Sequence, residues 1–468
     1  MMHSGQTVKV GKPLPSRLIA ILLLLSDFLG FLLCHELASR VLSGTSILDV
    51  PHWSLLLFTP LAITGLYMMD TYHPETQSGS IKLLERVVLS SVFVLFLEAV
   101  FVYLCNLLAI RTSLSSDALF VGLTLFTLWA GSLRFLIARQ VGIEVQQSHW
   151  IVLGGHSNLK DIINFFELSF HQAGVTFLTH DLEVKTALKG SRFETQDCLE
   201  RLPDFGSQRC SGVLVDPHLH LSEVQMQDLM RLRLQGIRVY SLPDFFEHFW
   251  MKVPPLTLQD NWFAFTSGFV LLHNLVYLRI KRLFDICVAG TLLLALSPLF
   301  AIAALAIKLD SPGTIFYSQM RTGLNYQQFR VLKFRSMRQN AEAKGPQWAS
   351  QQDPRITRVG RFIRAMRIDE LPQLLNVLLG QMSLIGPRPE RPEFDAELAR
   401  SIPYYNIRYL VRPGITGWAQ VMYPYGASVE DAYEKFSYDL YYIKNYSPLL
   451  DLNIVIKTIR VVLFGKGR

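Results

Sequence analysis

Asp369 and Glu370 stand side by side in Arg367-Ile368-Asp369-Glu370-Leu371-Pro372-Gln373-Leu374-Leu375-Asn376-Val377-Leu378-Leu379-Gly380. The apolar spacing and the terminal glycine read as a short amphipathic helix. Two readings fit the acids. Asp369 sits where an N-cap belongs and Glu370 in the first turn, and both placements stabilise a helix on structural grounds alone. Alternatively, a carboxylate pair at a helix N-terminus beside arginines stays ionised and nucleophilic, in a setting that accepts phosphate and Mg²⁺. Neighbouring helical residues point about 100° apart, so the two carboxylates would do different jobs.

The cations around this pair are patterned. Arg355, Arg358, Arg361, Arg364 and Arg367 recur every third residue, interleaved with Ile356, Val359, Phe362, Ile363 and Met366. A solvated basic helix fits. So does an interfacial one, with apolar residues in lipid and guanidiniums on headgroups or phosphates. Downstream, Ser383-Leu384-Ile385-Gly386-Pro387-Arg388-Pro389-Glu390 fixes Arg388 between prolines, and Arg412-Pro413-Gly414-Ile415-Thr416-Gly417-Trp418 sets Arg412 before a glycine turn. Proline pre-sets the backbone, so a guanidinium there loses less entropy on meeting an anion. Each loop alone also fits a plain turn.

Upstream elements must carry this site. Four apolar stretches, roughly 17–38, 53–70, 87–110 and 118–138, are each about long enough to cross a bilayer. Lys9, Lys12 and Arg17 precede the first, Lys82 and Arg86 the third, and Arg134 and Arg139 close the fourth, whereas the remaining loops carry mainly Arg40 and Arg111. That asymmetry puts the N-terminus and the region after Arg139 on the cytoplasmic side. The first stretch lacks an evident cleavage site and reads as a retained anchor. Asp27 and Glu98 lie within apolar runs and fit either a functional role or helix packing.

Residues 147–255 alternate strand-like and helix-like segments: Trp150–Leu153, 158–172, Val175–Thr179, Gly212–Val215, 222–234 and Ile237–Ser241. This predicts a small α/β module with a parallel sheet. Gly154-Gly155-His156-Ser157-Asn158 lacks the G-x-G-x-x-G spacing of a dinucleotide loop and reads as packing. Pro254-Pro255 and the segment to about 270 read as a linker. An apolar helix then runs from about 283 to 307, broken at Ser297-Pro298, with Arg279, Lys281 and Arg282 before it and Lys308 after. Proline predicts a kink. Cations at both ends fit a helix that dips into one leaflet and returns, or an ordinary fifth span.

Composition agrees with a membrane protein. Of 468 residues, 50% are hydrophobic and 18% charged, below the roughly 25% charged of soluble domains. The net charge of +7 suits anionic headgroups and phosphorylated substrates, and the absence of nucleic-acid-binding signatures excludes that class. Cys34, Cys105, Cys198, Cys210 and Cys287 form neither a metal pattern nor a disulfide framework.

From about residue 277 onward the chain resembles the bacterial sugar transferases of the monotopic phosphoglycosyl transferase type. The pieces that carry the resemblance are Lys281-Arg282-Leu283-Phe284-Asp285, Ser297-Pro298, Ser311-Pro312-Gly313, Lys333-Phe334-Arg335-Ser336-Met337, Asp353-Pro354-Arg355, Asp369-Glu370-Leu371-Pro372-Gln373, the Arg388 and Arg412 loops, and Asp439-Leu440-Tyr441-Tyr442. The layout of the N-terminal part resembles the long polyprenyl-phosphate hexose-1-phosphate transferases of exopolysaccharide, capsule and O-antigen assembly.

The resemblance implies three parts: a four-helix transmembrane region (1–145), a Rossmann-like α/β module (146–260), and a mostly α catalytic domain (261–468) with a re-entrant helix. It implies that Asp369 attacks the sugar-bearing phosphorus of a UDP-hexose, releasing UMP, and that undecaprenyl phosphate then takes the phosphosugar. Glu370 would help place Mg²⁺, with Asp369 and Glu370 its protein ligands. Arg388 would hold the nucleotide and Arg412 a phosphate, with Lys333 and Asp439 nearby. It further implies the inner membrane with a cytoplasmic catalytic domain, a possible homodimer, and glucose ahead of galactose as the sugar. The segment Ala419–Gly426 differs from the Gln-Val-Asn-Gly-Arg type of some members.

Overall fold

The computed structural model describes residues 16–44, 53–69, 71–72, 80–107, 116–146, 148–155, 158–170, 173–196, 210–338, 353, 355–423, 426 and 428–464. Lys9, Lys12, Arg111, His156, Ser157, Cys198, Pro354, Pro424 and Tyr425 lie outside the described residues, as do the side chains of Arg17, Lys82 and Cys105. The chain divides into two compact units, Met1–Val213 with Val224–Arg238, and Leu214–Glu223 with Val239–Arg468.

The first unit opens with α1 (Ser16–Ser43), α2 (Trp53–Met68), α3 (Ser80–Leu107) and α4 (Ser116–Gln146). Of these, α1, α3 and α4 hold apolar spans of 25, 21 and 24 residues, enough to cross a hydrocarbon core that needs about 20. The second stretch departs from expectation. α2 has 16 residues, because the chain turns at Thr71, whose N–H donates to Leu66 O, and buries Tyr72. Inside the bundle Phe31, Phe58, Val94 and Phe126 are buried, while Leu33, Phe96 and Leu128 are more than 60% exposed on its outside. This is an inside-out arrangement suited to lipid.

Two charged residues in this bundle explain each other. Arg134 places Nη1 2.9 Å from Asp27 Oδ1 and Nη2 2.6 Å from Oδ2, and Tyr72 donates to Asp27 at 2.6 Å. Both charges are fully buried. Arg134, expected as a flanking cation, is instead a core residue that ties α4 to α1, since a bidentate carboxylate is the partner a buried guanidinium requires. Glu98 is also buried, and neither carboxyl oxygen has a hydrogen-bond partner among the described residues.

The α/β segment comprises β1 (His149–Leu153), α5 (Leu159–Ser169), β2 (Gly174–Leu178), α6 (Leu182–Leu188), β3 (Glu194–Gln196), β4 (Cys210–Val215), α7 (Glu223–Leu234), β5 (Arg238–Ser241) and α8 (Leu242–Trp250). The sheet runs β3-β2-β1-β4-β5, with β1–β2 and β2–β3 parallel. Sequence periodicity located β1, α5, β2, β4, α7 and β5. It missed α6, β3 and α8, which are short.

The region expected as a linker is folded. Val253 and Leu258 are buried in a cluster with Leu398, Tyr405 and Phe436, and Val253 N–H donates to Ser437 O at 2.9 Å. Apolar side chains next to Pro254-Pro255 gain more by entering this core than by staying solvated. After α9 (Asp260–Phe265) and α10 (Val270–His273) come α11 (Leu275–Ala295) and α12 (Ser297–Asp310), bent by 61° at the break. The remainder is β6 (Phe316–Thr322), β7 (Gln328–Phe334), α13 (Arg358–Ala365), α14 (Gln373–Leu378), β8 (Ser383–Ile385), α15 (Pro392–Ser401), β9 (Gly414–Thr416), α16 (Trp418–Met422), α17 (Val429–Lys444) and α18 (Pro448–Phe464). β6 and β7 form an antiparallel hairpin, and β8 pairs with β9 in parallel.

Candidate active site

Asp369 and Glu370 do not cap the helix that follows. They lie in a single 3₁₀ turn, Ile368–Glu370, entered through Arg367 at φ 57°. The N-cap of α14 is Pro372, with no side-chain cap bond. The local reason is Pro372. Lacking an N–H, it suits the start of α14, so the helix begins after the acids rather than at them. Capping therefore does not account for the pair.

The two carboxylates have opposite surroundings. Glu370 Oε1 is 2.6 Å from Arg388 Nη2, 3.2 Å from Lys333 Nζ and 3.6 Å from Arg367 Nη1. Burial by itself would raise its pKa, but Arg388, Lys333 and Arg367 together hold it well below the usual range. Asp369 is 8% exposed and makes no hydrogen bond or ion pair among the described residues. Burial, followed by the charge of Glu370, raises it to about 6. One acid is thus a fixed anion and the other an unengaged carboxylate that ionises near neutrality.

Separate elements bring the cations to Glu370. Lys333 rides on β7, and burial lowers its pKa against the pull of Glu370. The β7 platform rests on the broken helix pair: Phe334 packs with Ala303 and Ile307 of α12 and with Ile363 of α13. Ser297 and Pro298 start α12, and Ser297 Oγ donates to Leu294 O at 2.8 Å across the break. Arg388 is held by a two-loop clasp. Ser383 N–H donates to Pro413 O, Gly386 N–H to Thr416 O and Gly414 N–H to Pro387 O, at 2.8–2.9 Å. A Cβ on Gly414 would lie 2.1 Å from Gly386 N, so only glycine allows the two loops to meet.

The sequence reading missed Arg408. Its Nη2 donates to the Arg388 backbone carbonyl at 2.7 Å and to Asp439 Oδ2 at 3.2 Å. Asp439 is buried on α17 and raised by that burial to about 7. Asp439 therefore reaches the site through Arg408. No motif marks Arg408, and within Tyr405-Asn406-Ile407-Arg408-Tyr409 it reads as any solvated arginine.

Other expectations resolve differently. Arg412 is not brought to the carboxylates; its Nε–H donates to Gly380 O at 3.1 Å, beyond the C-terminal end of α14. Of the spaced arginines, Arg358, Arg361 and Arg364 lie in α13. Arg355 precedes it and is clasped to Asp353, Nη2 to Oδ2 at 2.5 Å. α13 exposes Phe362 beside Arg358 and Arg361 while burying Ile363, and its C-cap Met366 is also exposed, a mixture of apolar and cationic groups that suits a headgroup surface.

A buried, unengaged acid next to an acid gripped by cations places a free carboxylate oxygen beside groups that attract an anion. The family model for bacterial sugar transferases matches residues 276–465. An Aeromonas hydrophila UDP-N-acetylgalactosamine-undecaprenyl-phosphate N-acetylgalactosaminephosphotransferase is 44% identical over 266 residues, 57% of this chain and 62% of the relative. A Caulobacter vibrioides UDP-glucose:undecaprenyl-phosphate glucose-1-phosphate transferase is 44% identical over 185 residues, 39% of this chain and 69% of the relative. A Rhizobium leguminosarum exopolysaccharide production protein is 42% identical over 197 residues, 41% of this chain and 98% of the relative. The chain belongs to the bacterial sugar transferase family. It spans less than two thirds of the Aeromonas relative's length.

Proposed function

We propose that this chain transfers a hexose-1-phosphate from a UDP-hexose to undecaprenyl phosphate through a covalent phosphosugar–Asp369 intermediate. The observation that carries the reading is the contrast at residues 369 and 370: an unengaged buried carboxylate beside one gripped by Arg388 and Lys333. The ionised Asp369 oxygen attacks the sugar-bearing phosphorus. The bond from that phosphorus to the bridging oxygen breaks, and UMP leaves with the electron pair. A phosphate oxygen of the lipid then attacks the same phosphorus and the Asp369 carboxylate departs, giving the lipid diphosphate sugar. Arg388 and Lys333 offset charge on the diphosphate. Glu370 keeps both in place.

The residues present fit a magnesium ion. Asp369 and the second oxygen of Glu370 are hard donors with no partner among the described residues. A site with one or two carboxylates completed by substrate phosphates and waters suits Mg²⁺. When bound, the ion supplies Lewis-acid stabilisation of the phosphoryl group.

The same reading makes α11–α12 a re-entrant pair rather than a crossing. α11 and α12 present Leu294, Ile302 and Leu305 outward at 62–80% exposure, and α12 turns back onto β7. A re-entrant pair enters and leaves the bilayer on one face, so Asp369 stays on the side from which the chain enters α11, and the cytoplasmic side of an inner membrane is the one that holds UDP-sugars. The doubly wound strand order supports a Rossmann-like fold for the α/β module. The relatives' names bring N-acetylgalactosamine and glucose forward as sugars. The test is UMP release from UDP-glucose and UDP-N-acetylgalactosamine by purified protein, with and without undecaprenyl phosphate. No UMP with either donor contradicts the reading.

A further inference from the structure

The one bond from Arg412 Nε to Gly380 O sets the guanidinium plane, and both terminal nitrogens have no protein partner among the described residues. Arg412 lines a cavity of about 400 Å³. None of Lys333, Asp369, Glu370, Arg388 or Asp439 lines it. The lining mixes charge with hydrocarbon: Lys281, Arg282 and Asp285 beside Leu272, Leu278 and Leu410.

The other charged groups are engaged. Lys281 Nζ is 2.7 Å from Asp451 Oδ2. Arg282 donates to the Val377 and Leu378 carbonyls at 2.6 and 2.9 Å, and Asp285 accepts from Leu384 N–H at 3.0 Å. The three cations outnumber Asp285 and Asp451 by one, so the cavity favours an anion, and Arg412 offers it a pair of donors. The apolar lining reaches the surface. Leu272 is 40% and Leu410 44% exposed, next to Leu275 and Val276 at 66% and 64% on α11, the first helix of the broken apolar pair. A water-soluble anion gains nothing from such a wall, whereas an anion joined to a hydrocarbon chain buries it.

We propose that this cavity is a second, lipid-phosphate site, in which Arg412 takes the phosphate ester of a membrane lipid and Leu272, Leu278 and Leu410 its first methylenes. It stands apart from the Asp369 centre and rests on the proposed function only in placing α11 at lipid. Two sources share this chemistry, the polyprenyl phosphate acceptor and a phosphodiester lipid of the bilayer.

The test is binding by the full chain in detergent, followed by native mass spectrometry with undecaprenyl phosphate, phosphatidylglycerol and undecaprenol, and with no UDP-sugar present. Because no turnover is read, failure of the aspartyl chemistry leaves this result untouched. The wild type is expected to retain a phosphate lipid in preference to undecaprenol, and Arg412→Gln to weaken that retention about tenfold. Leu410→Glu, at a half-exposed position that leaves the Arg412–Gly380 bond alone, is expected to do the same. Weakening of both phosphate lipids assigns the site to bilayer lipid, and weakening of undecaprenyl phosphate alone assigns it to the acceptor. Retention unchanged in both variants, or undecaprenol held as well as its phosphate, overturns the proposal.

Discussion

Arg408 holds Arg388 from behind: its Nη2 donates to the Arg388 backbone carbonyl at 2.7 Å, while the Arg388 guanidinium reaches Glu370 at 2.6 Å. A guanidinium that must meet a diphosphate in one orientation is thus fixed at its backbone by a second guanidinium. That second group is itself paired with Asp439.

Arg408→Gln is therefore expected to lower kcat for UMP formation about tenfold to a hundredfold, since misplacing a positioned group costs that order. The UDP-sugar KM should rise less, because Arg388 itself remains. Steady-state kinetics read the split; unchanged kcat contradicts the relay.

The acid pair sets the pH response. Asp369 is raised to about 6 by burial and then by Glu370, so its reactive ionised form is lost as pH falls through about 6. UMP formation should fall along that limb. In Glu370→Gln the neighbouring negative charge is gone and Lys333, Arg388 and Arg367 lose their carboxylate, so the limb should move to lower pH. A pH profile of single-turnover UMP formation checks this, and a limb that stays in place contradicts the assignment to Asp369.

Gly414→Ala pushes a Cβ to 2.1 Å from Gly386 N and has to part the two loops. The backbone is expected to shift, displacing Arg388 and reducing kcat/KM at least about a hundredfold, with thermal stability also lowered. Activity retained at the wild-type level would show that the clasp does not position Arg388.

In the helical bundle, Arg134→Met leaves Asp27 buried with only Tyr72, and removing one member of a buried pair costs about 3–5 kcal/mol. Asp27→Leu combined with Arg134→Met removes both charges and should recover most of that loss. Thermal unfolding of the detergent-solubilised variants measures both, and equal destabilisation of single and double variants contradicts the pairing.

Much of the fold was legible because long apolar runs and alternating periodicity report local structure directly. α1, α3, α4, β1, β2 and the break at Ser297-Pro298 all lie near where pattern placed them. What escaped depends on contacts distant in sequence. Arg134 reads as a flanking cation until Asp27, 107 positions away, is folded against it. The Pro254-Pro255 strap reads as a linker until Val253 meets the core around Phe436. At the site, residue types and spacing marked Asp369, Glu370 and Arg388, the resemblance added Lys333, and the structure places Lys333 and Arg388 on Glu370. Arg408 and the separation of Arg412 from the carboxylates were not legible, since hydrogen bonds to backbone carbonyls leave no trace in side-chain spacing.

The account turns on whether Asp369 becomes covalently loaded. Incubating the protein with a UDP-sugar labelled in the sugar-bearing phosphate, without lipid acceptor, then quenching and mapping peptides by mass spectrometry, tests this directly. The expected result is one phosphosugar adduct on Asp369, formed together with one UMP and absent in Asp369→Asn. Product accumulation on adding acceptor, with no adduct on Asp369 at any time, would contradict it.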